Sequence, residues 1–272
     1  MKKILVTCFA IISITSTYAQ NSTIGDVEQS IESYQASVLI IPFESKMYIS
    51  DIDKDLALKN ELNFQDIKAK FRAALDRELF IALKKYYKPI SFYSIEPQEA
   101  IQELAYIYNS IGYKYEVVSI EEVVKKENVG TKLVGKMKKK PKEEEYIEAG
   151  IQNGEVVSQV DNREKYMKTT LPNEKLLPSL NEKYKVTHYV FINELDIKKA
   201  ANDVYQASEE QYQREIKVHY TIFDSTGKEV SSGAIKSRFE SEQNDIDKII
   251  KVQFPMIAEK IVTNLLGPDA IK

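Results

Sequence analysis

The chain has 272 residues, with 38 Lys and Arg against 41 Asp and Glu, one Cys and no Trp. A single cysteine excludes a disulfide framework and Cys-rich zinc modules. A formal charge of −3 speaks against a dedicated nucleic-acid binder, which carries a basic excess. Apolar residues make up 43%, enough to build a core, so wholesale disorder is excluded as well.

At the N-terminus, Lys2 and Lys3 precede an apolar run from Ile4 to Ile14, and Thr17 and Ala19 occupy the small-residue positions ahead of a cleavage point. This is the pattern of a secretory signal peptide, residues 1–19, cleaved after Ala19. The run is too short to cross a bilayer of ~30 Å. Cys8 lies inside it, too early for the cysteine of a lipoprotein. The expected product is therefore a periplasmic or extracellular protein, not a lipoprotein, without cysteine and with a charge of −5. Residues 20–36 read as an N-terminal tail.

From residue 37 the elements follow in order. SVLIIPF (37–43) is a compact apolar run ended by Pro42, suited to a strand buried on both faces. Residues 44–62 are polar and irregular. Asn63 then caps a long helical pattern, 63–87, with Phe64, Ile67, Phe71, Ala74, Leu75, Leu79, Ala82, Leu83 and Tyr86 at three- and four-residue steps. Lys68, Lys70, Arg72, Asp76 and Lys84 lie mostly off that stripe. Pro89 breaks the helix, ISFYSI (90–95) predicts a strand, and Pro97 opens a second helix that Gly112 is placed to cap.

Residues 113–184 change character and read as an insertion or small subdomain between the two parts of an α/β domain, 37–112 and 185–267. Asn153-Gly154 signals a hairpin, and Pro172 and Pro178 bracket a loop. KVTHYVFINELDI (185–197), REIKVHYTIF (214–223) and residues 229–239 predict three antiparallel strands, with Gly227 available for a left-handed turn position. A last helix begins near Asn244 or Asp245, with Pro255 expected to kink or divide it. Residues 268–272 form a tail. The expected fold is mixed α/β (α+β mixed): a mixed sheet with a C-terminal antiparallel meander, flanked by three main helices, with a long insertion.

Several phrases together carry a resemblance. SVLIIPF, EKYKVTHYVFINELDI, REIKVHYTIFDSTGKEVSSGAIKSRFES and NDIDKIIKVQFPMIAEKIVTNLL resemble, in that order, the opening strand, the returning strand, the strand–turn–strand and the closing helix of the TolB N-terminal domain and related CsgG-like envelope domains. The resemblance covers about 180 residues. It implies a non-enzymatic domain that docks onto other envelope components.

Candidate chemistry is sparse. The chain has two histidines, His188 and His219. If their strands pair about a connection centred near residue 204, the two rings lie close and suggest a two-His metal site or a pH switch. A one-residue offset would separate them onto opposite faces, and no third ligand is apparent. Asp51, Asp53 and Asp55 begin like a calcium loop, but Leu56 and Leu62 stand where that loop needs Gly and Glu. The default reading is a solvated acidic loop, so no metal and no cofactor is expected.

Seventeen tyrosines include Tyr106, Tyr108, Tyr113 and Tyr115, candidates for a partner-binding surface. Lys138, Lys139 and Lys140 stand in the run KMKKKPK, followed at once by three Glu. They read as a solvated loop, with a partner contact or a peripheral contact to an anionic membrane as the alternative. No G-x-S-x-G, H-E-x-x-H, P-loop or G-x-G-x-x-G is present. The functional expectation is an exported, non-catalytic binding or scaffold module for an envelope protein partner, without nucleic acid and without a membrane span. A small-ligand or glycan binder and an unrecognised hydrolase are the alternatives.

Overall fold

The computed structural model describes residues 36–118, 150–152, 155–157, 163–200 and 212–267. The expected signal peptide, the Asn153-Gly154 pair, Lys138, Lys139 and Lys140, and the expected 268–272 tail lie outside the described residues.

A six-stranded mixed sheet organises the chain, in the order β10-β9-β8-β1-β3, with β2 also on β8. β1 (Ser37–Ile41) lies parallel to β3 (Lys88–Ser91) on one side and to β8 (His188–Lys199) on the other. After β1 the chain makes a short 3-10 turn and returns as β2 (Tyr48–Ser50), which runs parallel to the far half of β8. β8, β9 (Gln213–Asp224) and β10 (Glu229–Glu240) form the antiparallel meander. The mixed sheet with its meander matches the expected fold class.

Alternation along β1 explains the two layers. Val38 and Ile40 face a core made with α2 (Phe64–Leu83) and α5 (Ile246–Leu266). Leu39 and Ile41 face a second core with α3 (Pro97–Ser110) and α4 (Leu176–Tyr184). A strand covered on both faces reads as a continuous apolar run, as SVLII does. The α2 start follows the expected cap: the Asn63 side chain accepts the Asp66 N–H at 2.9 Å. Gly227 takes the expected left-handed turn position, φ +84°, where a side chain would be strained.

Several expectations are revised. The polar stretch before α2 contains α1 (Asp53–Asn60), held by Asp55 against Arg214 and by Asn60 against the start of α5. α2 stops at Leu83, and the second strand is shorter and earlier, ending in a 3-10 turn at Phe92–Ser94. Pro255 does not divide α5, which runs unbroken through it. Pro178 lies inside α4 rather than at the edge of a loop. Gly112 does not cap α3 but opens β4 (Gly112–Val117), where a Cβ would come within 2.7 Å of Thr170 Oγ1.

β4 pairs antiparallel with β7 (Lys165–Thr170) to make a ribbon, and β5 (Gly150–Gln152) pairs antiparallel with β6 (Glu155–Val157). The ribbon lies across the polar face of the meander, which carries Asn193, Glu194, His219 and Thr221.

Candidate functional site

The face beneath the ribbon is set by one irregularity in β8. The buried apolar residues fall at Val190 and Ile192, then at Leu195 and Ile197, a step of three where two is expected. The pairing with β9 shifts at that point, between Ile192 and Glu194, as a β-bulge. The extra residue turns Asn193 and Glu194 both toward the ribbon. Asn193, fully buried, donates to Met167 O at 2.8 Å and to Thr221 Oγ1 at 2.9 Å, and accepts the Thr169 hydroxyl at 2.6 Å. The Thr169 N–H donates to Thr221 Oγ1.

The same shift decides the histidines. His219 stands opposite Glu194, and His188 opposite Asp224. The two rings therefore do not meet, because the connection spans residues 200–212 and the bulge adds a residue to one strand only. His188 sits at the rim instead, with its ring 5.9 Å from that of Tyr87.

His219, 1% exposed, gathers the one His-carboxylate group of metal-holding compactness among the described residues, with Glu194 and Asp196. Its Nε2 lies 3.3 Å from Glu194 Oε1 and 3.7 Å from Asp196 Oδ2, aligned as a hydrogen bond with neither. Its Nδ1 accepts the Met167 N–H at 2.7 Å. That bond requires a lone pair on Nδ1, so the neutral ring carries its proton on Nε2. A metal-ligating histidine has the opposite arrangement, donating from its second nitrogen. The ring thus offers neither a metal lone pair nor a free basic nitrogen while the ribbon is docked. Burial pushes the Asp196 carboxyl up, but the Nε2–H that His219 turns toward it and the Lys198 ammonium outweigh that and hold it below the usual range. Tyr115 donates to Glu194 Oε2 at 2.8 Å, and burial and that carboxylate raise its phenol.

The other singled-out residues go separate ways. Asp53 accepts the Tyr48 hydroxyl at 2.6 Å and Asp55 pairs with Arg214 at 2.7 Å, both from the first turn of α1, while Asp51 is exposed. These are not the contacts of one ion site. Tyr106 is exposed, Tyr108 donates to Pro42 O at 2.6 Å, and Tyr113 is half-buried. Burial pushes the Tyr108 phenol up to about 12, against the Arg72 guanidinium beside it.

A second locality was not legible as a site. Asp76, placed off the stripe of α2, is 3% exposed. Its Oδ2 accepts the Ser91 hydroxyl and its Oδ1 has no partner. Burial pushes its carboxyl up to about 6, opposed by the Ser91 bond and the Arg72 charge. It lines a pocket of about 440 Å³ between α2, the end of β3 and the start of α5. The signal was available: Asp76 shares a helical side with Leu79, Phe80 and Leu83 at i+3, i+4 and i+7.

No family model matches the chain, and no curated protein matches it. Among solved structures the chain is similar to the crystal structure of lipoprotein GNA1162 from Neisseria meningitidis, at 10% identity and a TM-score of 0.32, over 84% of this chain and 98% of that one. A likeness of this size carries no argument for activity. The expectation from the sequence was a periplasmic or extracellular protein that is not a lipoprotein. The matched structure is a lipoprotein, and the expectation that this chain is not one is withdrawn. Among the described residues, no helix is long and apolar enough to cross a membrane.

Proposed function

We propose that the chain is a non-catalytic binding or scaffold module of the cell envelope, of the TolB N-terminal and CsgG-like kind, that takes a partner protein on the free edge of β10. The observation that carries the reading is that edge. β10 is twelve residues long and is paired with β9 on its inner side, and no described strand pairs with its outer side. An unpaired edge offers a row of backbone donors and acceptors to an added strand. Beyond the carboxyl end of β1, where open α/β sheets can hold a small ligand, the chain itself continues as β2 along β8. The engaged Nδ1 of His219 supports a role without acid-base chemistry.

Photo-crosslinking side chains placed at Val230 and Arg238, both exposed on β10, test this in envelopes, with Leu58 at 75% exposure on α1 as the control. The expected result is one adduct specific to the β10 positions, and slowed amide exchange along β10 when the captured partner is added back. Equal labelling from Leu58, or β10 amides that do not respond, would sink the reading. A second reading, a small-ligand binder, draws on a separate observation, the pocket beside Asp76.

A further inference from the structure

The pocket beside Asp76 combines a buried charge, an unanswered acceptor and an apolar wall. Its wall is formed by Ala73, Ala74, Phe80 and Ile250, with Tyr93 and Ser94 at one side. Asp76 Oδ1 is buried and unpartnered, although three basic side chains stand near it. Each of those three is engaged elsewhere. Lys70 pairs with Asp247 at 2.9 Å, and Arg77 pairs with Glu78 at 2.9 Å. Arg72 donates to Phe43 O at 2.6 Å, to Tyr108 at 2.8 Å and to Tyr93 at 3.3 Å. A carboxylate oxygen taken out of water without a donor is costly. The fold therefore holds ready an acceptor that a ligand donor can complete.

We propose that this pocket binds a small organic ammonium, a primary amine on an apolar body. The ammonium donates to Asp76 Oδ1, with the Ser91 hydroxyl fixing the other carboxylate oxygen. The apolar body lies on Ala73, Ala74 and Ile250, with the rings of Phe80 and Tyr93 completing the lining. The volume is of the order that small ligands use. A divalent cation fits less well. Asp76 is not in the compact carboxylate-His group of the described residues, and one carboxylate is a poor cage for an ion that takes several oxygen ligands. An anion is excluded by the buried acid itself. This site is independent of the β10 edge, and either proposal can fail alone.

The groups facing Asp76 are Lys70, Arg72 and Arg77 from its own helix, Ser91, Tyr93 and Ser94 from the end of β3 and its turn, and Asp247 from α5. Because the acid titrates near pH 6, amine affinity should fall as the pH drops through that value, about tenfold per unit below it.

The test is calorimetric titration of the full chain with phenethylammonium chloride, with 2-phenylethanol as the neutral isostere. Saturable binding of the amine at pH 7.5, loss of about tenfold or more at pH 5, and no saturable binding of the alcohol are expected. Asp76→Asn should abolish amine binding. Ala73→Phe, which fills the mouth and leaves the acid in place, should abolish it too and guards against a folding defect in the first variant. Amide shifts on adding the amine should map to Ala73, Ser94 and Ile250. No saturable binding, equal binding of the alcohol, undiminished binding by Asp76→Asn, or shifts confined to other parts of the chain would each overturn the proposal.

Discussion

Asp76 is a residue whose cost can be signed. Its carboxyl titrates near 6 in the folded chain, above ~3.9 for a free aspartate. Between those values the folded state binds more protons than the unfolded one, so stability falls as pH rises through that window and the full penalty stands above pH 6. The upper size of the penalty is about 3 kcal/mol. Asp76→Asn should therefore raise the urea midpoint at pH 7.5 by the equivalent of roughly 1–3 kcal/mol and change it little at about pH 3, where the acid is mostly neutral in both states. An equal shift at both pH values would refute the assignment. At this scale the sequence was partly legible. Asn63 as a cap and Gly227 as a turn follow from local chemistry and stand as expected. Asp76 was missed because an acid beside an apolar stripe defaults to solvent, and only packing from β3 and α5 buries it.

The ribbon of β4 and β7 is an element held to the sheet chiefly by polar bonds. Between them, Tyr166 and Met167 supply most of its buried apolar surface. Against that stand the bonds from Asn193, Thr221 and His219 to the backbone and side chains of β7, and Lys217 donating to Lys165 O at 2.5 Å. Lys168 adds an ion pair to Glu229 at 2.5 Å. An element docked this way should open on its own, below the free energy of global unfolding. Asn193→Ala removes three bonds and leaves Met167 O and the Thr169 hydroxyl unanswered, at a cost of about 2–4 kcal/mol. The prediction is that amide exchange at Met167 and Thr169 accelerates at least tenfold while the paired amides of β9 and β10 keep their rates. Uniform acceleration throughout the sheet would show that the ribbon has no separate opening. The strands themselves were legible from alternation. Their register was not, since it turned on one bulge. The step of three between Ile192 and Leu195 carried that information, but a strand read as uniform alternation hides it. Sequence spacing also could not reveal that Tyr115 and Glu194, far apart in the chain, would share a hydrogen bond.

On the scale of the whole molecule, two cores share one sheet, and adjacent residues of β1 serve different ones. Val38 belongs to the layer under α2 and α5, Leu39 to the layer under α3 and α4. Shared strands couple the layers, so they should unfold together. Leu39→Ala should cost about 2–5 kcal/mol. It should lower a single transition seen alike by far-ultraviolet dichroism and by tyrosine fluorescence, as should Val38→Ala. Two separated transitions in either variant would show that the layers melt apart. The layer order was legible because it follows from strand and helix succession; the ribbon across the meander was not, because its hold is polar and leaves no apolar period. The place of β1 in the middle of the parallel strands carries one more consequence, for synthesis. Its partner β3 begins about 50 residues later, but β8 begins about 150 residues later. At ~5–20 residues per second the ribosome takes roughly 8–30 s to deliver β8. For that interval the nascent chain carries an apolar strand flank whose partner has not yet been made.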